Sequence, residues 1–360
     1  MTYHIAVDFR EATRPTRAGK GEYVYQLVRA WLEQGFDAEL ILLIATGQTV
    51  ELPFGRWREQ SFAGGLLWHW RVARWLAHRP VDVYLASLSL IVPAISRAVP
   101  VVTTLFDFSA WRYPGTHLSR TVWLEKLFAR TAVARSVHLL AISEFTKREA
   151  VALFGVRPDK ITVTPMAAAT QFRPLPPDES IRARYHLPDK FILYLGTIEP
   201  RKNLLTLIAA FNRIRSQLAD VSLVLAGGEG WRANAILRLA DARIIFPGYI
   251  EAADRPALYG MAEVFVFPSL YEGFGIPPLE AMACGVPTIV SDRASLPEVV
   301  GGAAVQVPAA NPEALARALL ETLNSPTRRA ALRQQGLARA RHFTWARTAQ
   351  LTWEILKRYG

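Results

Sequence analysis

The chain has 360 residues, a length that usually holds two domains, and 51% of its residues are hydrophobic while 20% are charged. These proportions exclude an intrinsically disordered chain. The formal net charge of +11 favours anionic partners, but it does not choose among nucleic acid, anionic lipid and phosphorylated substrates.

The longest apolar runs, at 40–45 and 88–95, are too short to cross a bilayer, which takes about 20 residues in a helix. The N-terminus turns charged after a short apolar strand and lacks the features of a signal peptide. A single cysteine, Cys284, permits no internal disulfide. We therefore expect a cytoplasmic protein.

Short apolar segments alternate with helical segments along the chain, which is the pattern of parallel βαβ units. The predicted strands of the first half are 4–9, 38–45, 81–86, 100–106, 138–143 and 160–165. Those of the second half are 191–196, 221–228, 242–248, 263–269, 287–292 and 303–308, followed by helical segments at 312–323, 326–342 and 343–360. The sequence therefore predicts an α/β protein with two doubly wound, Rossmann-like domains.

The segment FRPLPPDES, at 172–180, separates the two series of strands. Its three prolines disfavour both helix and strand, so we interpret it as a linker between domains at 1–172 and 173–344. Ligands of open parallel sheets bind beyond the carboxyl ends of the strands, and two sheets facing each other would form a cleft. Functional motifs are therefore expected directly after predicted strands.

One such motif, YEGFGIPPLEAMACGVP at 271–287, carries two glutamates, Glu272 and Glu280, beside a glycine turn. Its double proline predicts the start of a short helix, and Gly285 predicts the end. The helix N-terminus suits a phosphate, and a carboxylate suits a ribose diol. The simpler alternative is one surface glutamate and one helix-capping glutamate. A glycosidase-like acid and nucleophile is a further use of two carboxylates.

A second motif, GTIEPRKN at 196–203, also follows a strand, and Pro200 predicts a helix that carries Arg201 and Lys202 at its start. Cations oppose the dipole of a helix N-terminus, at a cost of about 0.3–1 kcal/mol. A bound diphosphate would offset that cost. The alternative is an ordinary exposed basic pair.

With these motifs, the sequence resembles the retaining glycosyltransferases of the GT-B fold, family 4, over nearly its whole length. The resemblance also rests on LAGG at 225–228, FPGYI at 246–250, the run at 258–292 and FTWARTA at 343–349. It implies two Rossmann-like domains that face each other across a cleft, with the last helix, 345–360, crossing back to the first domain. It also implies a nucleoside diphosphate sugar as co-substrate. No metal or other cofactor is expected, because the sequence shows no cluster of His and carboxylate ligands and the fixed cations would do that work.

The resemblance further implies a role for each matching residue. Arg201 and Lys202 would hold the donor diphosphate, Glu280 the ribose, and Glu272 would lie by the transferred sugar. The amides that would wrap the sugar and phosphate belong to Gly273, Phe274, Gly275 and Ile276. The residues that would line the base pocket are Tyr249 and Ile250.

The first half resembles the family through Gly19 and Gly21, in a loop expected near the diphosphate and acceptor, and through Asp107. Two positions depart from the family pattern. Phe106 stands where many relatives have a histidine, and Thr197 stands where many have an arginine. These departures put the identity of the sugar and the geometry of the diphosphate in question, although Arg201 beside Lys202 could restore the charge.

The segment LLWHWRVARWLAHR, at 66–79, places Trp68, Val72, Trp75 and Leu76 at helical spacing among arginines and histidines. We favour an interpretation in which this stripe packs on the first sheet, as a crossover helix must. Contact with an anionic membrane, at the inner face of the cell membrane, is the alternative. No motif supports binding to nucleic acid.

The resemblance implies a glycosyltransferase that moves a hexose with retention to a glycan or lipid-linked acceptor, in the synthesis of a cell-surface polysaccharide or glycolipid. GTIEPRKN most resembles enzymes that use GDP-mannose, which makes mannose the expected sugar. The alternatives are a catalytically silent nucleotide-sugar-binding protein and a glycoside phosphorylase of the same fold.

Overall fold

A computed structural model describes residues 3–14, 17, 19–53, 55–65, 67–116, 119–218 and 220–360. The chain divides into two compact units: 1–114, 118–166 and 344–360 form the first, and 115–117 and 167–343 form the second. The second unit begins before the predicted linker. Phe172 explains the difference, because it packs edge-to-face on Tyr259 of that unit, with the ring centroids 6.0 Å apart.

The first unit is built on a parallel sheet of seven strands. They are β1 (Tyr3–Asp8), β2 (Ala38–Ala45), β3 (Trp57–Phe62), β4 (Val83–Ala86), β5 (Val101–Leu105), β6 (His138–Ala141) and β7 (Ile161–Val163). Their order across the sheet is β3-β2-β1-β4-β5-β6-β7. The helices between them are α1 (Lys20–Gln34), α2 (Trp68–Leu76), α3 (Ile91–Ile95), α4 (Ser109–Arg112), α5 (Ser119–Arg135) and α6 (Glu144–Phe154).

The edge strand β3 was not predicted from the sequence. Its sequence, WREQSF, is mostly polar because an edge strand needs no apolar run. Arg58 of this strand instead pairs with Glu39 of β2, with 2.7 Å between Nε and Oε1. The prediction of six strands in the first half was therefore wrong by this one strand.

The second unit contains a parallel sheet of six strands. They are β8 (Lys190–Leu195), β9 (Val221–Ala226), β10 (Ile244–Ile245), β11 (Val264–Phe267), β12 (Thr288–Ser291) and β13 (Val305–Val307), in the order β10-β9-β8-β11-β12-β13. The helices are α7 (Glu179–Arg184), α8 (Leu204–Ile214), α9 (Asn234–Leu237), α10 (Arg255–Met261), α11 (Ile276–Ala283), α12 (Leu296–Val300), α13 (Pro312–Leu323) and α14 (Pro326–Ala340). All six predicted strands are present, although β10 is much shorter than 242–248.

The last helix, α15 (Trp345–Tyr359), belongs to the first unit, although the chain reaches it after the second. Trp31 of α1 donates its indole N–H to the carbonyl of Ala349 at 2.9 Å. The hydroxyl of Tyr3 donates to the carbonyl of Leu356 at 2.8 Å. These contacts attach α15 to both a helix and a strand of the first unit.

Candidate functional site

The loops that follow β8 and β9 approach each other closely. The amide of Gly196 donates to the carbonyl of Ala226 at 3.0 Å. Gly227, with φ +140°, lies so near that a Cβ on it would be 1.9 Å from the carbonyl oxygen of Gly196. Only glycine fits there. Thr197 is exposed beside this contact, and its carbonyl accepts a bond from the Tyr194 hydroxyl at 2.9 Å.

Arg201 and Lys202 lie in a short helical turn that Pro200 opens, as predicted, but this turn is separate from the α-helix that follows. Pro200–Lys202 form a single 3₁₀ turn, and α8 begins only after Asn203, which has φ 59°. The left-handed conformation of Asn203 separates the turn from the helix. The argument from the helix dipole therefore does not apply to these two cations.

The side chain of Asn203 fixes this turn to two other strand ends. Its amide nitrogen donates to the carbonyl of Pro268 at 3.1 Å, just after β11, and to that of Ala309 at 2.6 Å, after β13. Thr206 donates to the side-chain oxygen of Asn203 at 2.7 Å. The turn with its two cations is thus tied to the ends of β11 and β13.

Both cations converge on Glu272. Lys202 Nζ lies 2.6 Å from Oε1 of Glu272, and an Arg201 NH1 nitrogen lies 3.3 Å from the same oxygen. Ser269, at the end of β11, donates its hydroxyl to that oxygen at 2.5 Å. These side chains are largely buried, which strengthens the interaction between the charges.

The electrostatic balance at Glu272 favours the ionised carboxylate. Burial acts to raise its pKa, but the charges of Lys202 and Arg201 and the bond from Ser269 outweigh burial, so that its pKa is lower than the ordinary value. Glu272 is consequently suited to accept hydrogen bonds and to stabilise positive charge. It is poorly suited to donate a proton at neutral pH.

The glycine turn between Glu272 and α11 is held by a serine and by close packing. Ser295 donates its hydroxyl to the carbonyls of Glu272, at 2.9 Å, and Phe274, at 2.6 Å. Gly275 has φ +114°, and a Cβ on it would lie 2.7 Å from a methyl group of Leu296. The turn therefore requires glycine at 275.

The start of α11 offers fewer hydrogen-bond donors than most helix N-termini. Pro277 and Pro278 have no N–H, so two of the usual unpaired donors of the first turn are missing. The amides of Gly275 and Ile276 remain, and their position at the start of the helix leaves them without a helical carbonyl to bond. An anion at this site would therefore depend on these amides together with nearby cations.

Glu280 lies in the second turn of α11, with partners different from those of Glu272. The hydroxyl of Tyr259, on α10, donates to Oε2 of Glu280 at 3.0 Å. Burial and the charge of Glu280 raise the pKa of Tyr259 well above its ordinary value, so the phenol remains a donor. Glu280 is only half-buried. The structure thus gives the two glutamates separate surroundings.

The two residues expected at a base pocket differ in accessibility. The Tyr249 side chain is 45% exposed, and the guanidinium carbon of Arg255 lies 5.6 Å from the centre of its ring. The side chain of Ile250 is buried. Tyr249 can therefore meet a ligand, whereas the Ile250 side chain is not accessible to one.

In the first unit, Gly19 and Gly21 open α1. Gly19 has φ +50° and its carbonyl accepts the bond from the Tyr23 amide at 3.1 Å, which closes the first turn. A Cβ on Gly21 would lie 2.5 Å from the carbonyl oxygen of Glu11, so this helix approaches the loop after β1 closely. Pro15, Thr16 and Ala18 of the same loop lie outside the described residues.

Phe106 and Asp107 follow β5. Phe106 is buried and packs edge-to-face on Tyr23, with 5.0 Å between the ring centroids, and Lys20 Nζ lies 5.6 Å from the Phe106 ring centre. Asp107 accepts bonds from the amide of Ser109, at 2.8 Å, and from its hydroxyl, at 2.5 Å. A hydrocarbon ring at position 106 supplies no hydrogen bond to a sugar.

Sequence reasoning missed the two serines that support Glu272. Ser269 could have been found, because it stands at the carboxyl end of β11, where ligand-binding residues are expected. Ser295 gave no such signal, because it precedes a five-residue helix and reaches the glycine turn only in the folded chain.

Within the described ranges, no helix meets the length and hydropathy that a bilayer crossing requires, and no three His, Cys, Asp or Glu side chains are grouped as metal ligands.

Two family models match the chain. The model of glycosyl transferases group 1 matches residues 178–339, and the model of glycosyltransferase family 4 matches residues 18–172. Together they span most of both units.

Individual proteins are similar as well. The O-antigen chain mannosyltransferase B of Escherichia coli is 34% identical over 68% of this chain and 66% of its own length. A GDP-mannose-dependent alpha-(1-6)-phosphatidylinositol monomannoside mannosyltransferase of Mycolicibacterium smegmatis is 30% identical over 61% of this chain and 62% of its own length. The chain thus spans just under two thirds of either relative.

Among solved structures, the sucrose-phosphate synthase of Thermosynechococcus elongatus is similar, with a TM-score of 0.80 and 19% sequence identity. The match covers 99% of this chain and 98% of that one. At this identity the likeness establishes the fold alone, which is the GT-B fold with two parallel-sheet α/β domains.

Proposed function

Because this chain belongs to the group 1 glycosyl transferases, we propose that it transfers mannose from GDP-mannose to a hydroxyl of a glycan or lipid-linked acceptor. The reaction would serve the synthesis of a cell-surface polysaccharide or glycolipid and would take place in the cytoplasm. The observation that carries the proposal is the convergence of Arg201 and Lys202 on Glu272, beside the glycine turn that opens α11.

The donor would bind to the second unit along this edge of the sheet. Arg201, Lys202 and the amides of Gly275 and Ile276 would hold the diphosphate, since two cations and a helix N-terminus favour negative charge. Glu280 would accept hydrogen bonds from the ribose hydroxyls, and Tyr259 would orient its carboxylate. Exposed Tyr249 would offer a ring face to the base.

Transfer would proceed with retention at the anomeric carbon. The bond between that carbon and the diphosphate oxygen breaks, and the electron pair leaves with the diphosphate, whose charge Arg201 and Lys202 stabilise. The acceptor oxygen bonds to the carbon on the same face, and its proton passes to the departing phosphate oxygen. Glu272 would stabilise the positive charge that develops on the sugar. The protein's fixed cations make a metal unnecessary in this scheme.

Mannose is the proposed sugar for two reasons. The motif GTIEPRKN is similar to those of mannosyltransferases, and both relatives described above are named as mannosyltransferases. Phe106 removes a hydrogen bond that the histidine of many relatives could offer. The same feature supports the second candidate, a protein that binds a nucleotide sugar without transferring it.

A donor panel tests the proposal. The protein is incubated with GDP-mannose, GDP-fucose, UDP-glucose and UDP-galactose, with and without a lipid-linked glycan acceptor, and the release of nucleoside diphosphate is followed by mass detection. We expect GDP release with GDP-mannose, and an α-linked product by nuclear magnetic resonance. Lys202→Ala should abolish the release.

Other outcomes identify the alternatives. Tight donor binding without any transfer or hydrolysis indicates the silent binding protein. Consumption of inorganic phosphate without affinity for nucleotides indicates a phosphorylase. Release of UDP from UDP-glucose alone, with a glucosylated product, refutes the assignment of mannose as the sugar. The protein would then still be a glycosyltransferase.

A further inference from the structure

One face of α10 carries a tyrosine and an arginine, and the tyrosine contacts the glutamate that is proposed to bind the ribose. Tyr259 donates its hydroxyl to Oε2 of Glu280 at 3.0 Å. Arg255 lies four residues before Tyr259, so the two side chains share a face of the helix, one turn apart. Burial and the charge of Glu280 raise the pKa of Tyr259, while the charge of Arg255 acts to lower it, which agrees with a guanidinium close to this pair.

Arg255 also contacts the exposed ring of Tyr249. Its guanidinium carbon lies 5.6 Å from the ring centre, and one NH2 hydrogen is donated to the Tyr249 hydroxyl at 3.2 Å. The side chains of Glu280, Tyr259, Arg255 and Tyr249 thus follow one another in a row. A nucleoside with its ribose at Glu280 would extend its base along this row, because one helical turn, about 5.4 Å, is comparable to the span of a purine.

Several hydrogen-bond donors of Arg255 remain available to a ligand. A guanidinium has five N–H groups, of which Nε donates to the carbonyl of Ile250 at 3.3 Å and one NH2 hydrogen binds the tyrosine hydroxyl. Both NH1 hydrogens and one NH2 hydrogen are left. In the described part of the chain, no carboxylate forms an ion pair with Arg255. The neighbouring Asp254 is bound instead by Arg184 and by the hydroxyl of Tyr185, each at 2.7 Å.

The loop between β10 and α10 is held by residues from elsewhere in the second unit. The hydroxyl of Tyr185 accepts a bond from the amide of Glu251 at 3.2 Å. Gln171 donates its side-chain amide to the carbonyl of Ala252 at 3.3 Å. The bond from Arg255 to the carbonyl of residue 250 fixes the same loop from the helix. The tyrosine ring and the guanidinium are therefore presented to a ligand in a defined arrangement.

We propose that Arg255 selects guanine as the base of the donor by donating two hydrogen bonds to its O6 and N7 atoms. Tyr249 offers its ring face to the base beside this pair of bonds. The inference rests on the proposed function, since it concerns the base of the same donor. It goes beyond that function by naming the side chain that distinguishes GDP from other nucleoside diphosphates.

The arrangement of acceptors on the bases gives this selection its physical basis. O6 and N7 of guanine are two adjacent acceptors, which match two parallel N–H groups of a guanidinium. Adenine places an amino donor beside N7, and uracil has no second acceptor adjacent to its O4, so neither base can accept both bonds. A lysine would form only one such bond, because its ammonium lacks the planar pair of donors.

Glu251 offers a competing way to recognise guanine. Its exposed carboxylate could accept bonds from N1 and N2, on the other edge of the base. Arg255 is favoured because it is half-buried, contacts Tyr249 and shares the face of α10 that reaches Glu280. Among the described residues, the Glu251 carboxylate forms no hydrogen bond or ion pair with this row of side chains.

Calorimetry with altered nucleotides tests the proposal on the unmodified protein. In 7-deaza-GDP a carbon replaces N7, whereas inosine diphosphate keeps O6 and N7 and lacks only the 2-amino group. We expect 7-deaza-GDP to bind roughly tenfold more weakly than GDP, and inosine diphosphate to bind about as tightly as GDP. Equal affinity for GDP and 7-deaza-GDP overturns the proposal. A loss of affinity with inosine diphosphate alone also overturns it, since recognition would then lie on the edge that Glu251 suits.

Two variants connect the effect to Arg255. Arg255→Met keeps the length of the side chain without its donors, so it should bind GDP and 7-deaza-GDP equally. Arg255→Lys keeps the charge but offers a single bond, so it should bind GDP roughly tenfold more weakly than the unmodified protein. The assignment fails if the methionine variant still prefers GDP, or if the lysine variant binds GDP with unchanged affinity. Thermal melting establishes that each variant is folded at the temperature of the titration.

A matched control comes from α13 of the same unit. Arg317→Met removes an arginine that is exposed and lies outside the row of side chains described above. It should leave both the affinity for GDP and the preference over 7-deaza-GDP unchanged. If it weakens GDP binding as much as Arg255→Met does, the net charge of the unit sets the affinity and the proposal is overturned.

The same titrations separate this inference from the proposed function. Tighter binding of UDP than of GDP refutes GDP-mannose as the donor, and with it the role of Arg255. A preference for GDP over UDP, combined with equal affinity for GDP and 7-deaza-GDP, refutes only the role of Arg255. The proposed donor would then stand.

Discussion

Replacing Glu272 by glutamine should separate its role in turnover from its role in donor binding. The substitution keeps the shape of the side chain but removes the charge that faces Lys202 and Arg201, whose nitrogens lie 2.6 and 3.3 Å from Oε1. Two largely buried cations would then remain side by side. Arg201 would keep its contact with Glu199.

The effect on turnover can be estimated from Coulomb's law. A carboxylate about 4 Å from a developing positive charge contributes about 4 kcal/mol at an effective dielectric constant of about 20. Since about 1.4 kcal/mol corresponds to a factor of ten, the turnover number should fall roughly a hundredfold to a thousandfold. Affinity for GDP should be kept or improved, because the anion that competes for the two cations is gone.

The substitution should also destabilise the fold. Removing one member of a buried ion pair costs about 3–5 kcal/mol, and we expect the lower end, because Arg201 keeps a second carboxylate. Denaturant unfolding measures this change. The assays must therefore be run below the lowered melting temperature of the variant.

Single-turnover release of GDP and calorimetry with GDP form the decisive pair of measurements. Glu263→Gln is the matched control, since Glu263 belongs to the same unit but precedes β11, at the opposite end of the strand from Glu272. It should change neither quantity. Unchanged turnover in Glu272→Gln, or a loss of GDP affinity equal to the loss of turnover, would refute the assigned role.

Further predictions concern the rest of the donor site. Glu280→Gln should raise the dissociation constant for GDP roughly tenfold, because a charged acceptor of ribose hydrogen bonds is lost, and an unchanged calorimetric constant would contradict the ribose assignment. Gly275→Ala should cost about 1–3 kcal/mol in denaturant unfolding, because φ is +114° there, whereas Gly302→Ala, with open space around it, should cost far less. The pKa of Glu272 is lower in the folded protein than its ordinary value of 4.5. The ionised carboxylate should therefore stabilise the fold fully at a pH above 4.5, and this contribution should disappear as the pH falls through the lower, folded-state pKa. The difference in unfolding free energy between the unmodified protein and Glu272→Gln should therefore shrink in acid, and a constant difference would contradict the shift.

The sheets were largely predictable because strands covered on both faces are continuous apolar runs. VSLVLA of β9 is an example, with every residue buried. The strand β3 was missed for the converse reason, since its polar residues lie at a sheet edge. The face of α2 that reaches the core was also predicted correctly, from the spacing of Trp68 and Val72.

The contacts within the candidate site were much harder to predict. Lys202 and Glu272 are 70 positions apart, and no local pattern states that their side chains meet. The helix predicted to begin at Pro200 ends after one 3₁₀ turn because Asn203 adopts a left-handed conformation, which asparagine tolerates but does not demand. Motif resemblance gave the residues, whereas only the folded chain gives their distances and burial.

The bonds from Asn203 to two strand ends, those of β11 and β13, have a consequence for altering the donor that this protein accepts. The bonds from Asn203 to Pro268 and Ala309 hold the backbone of the turn that carries Arg201 and Lys202, the part of the molecule that would bind the invariant diphosphate. Attempts to exchange one sugar or base for another should leave that turn untouched. Substitutions have more freedom at exposed positions such as Thr197 and Tyr249, where a new side chain would contact the proposed ligand without destabilising the fold.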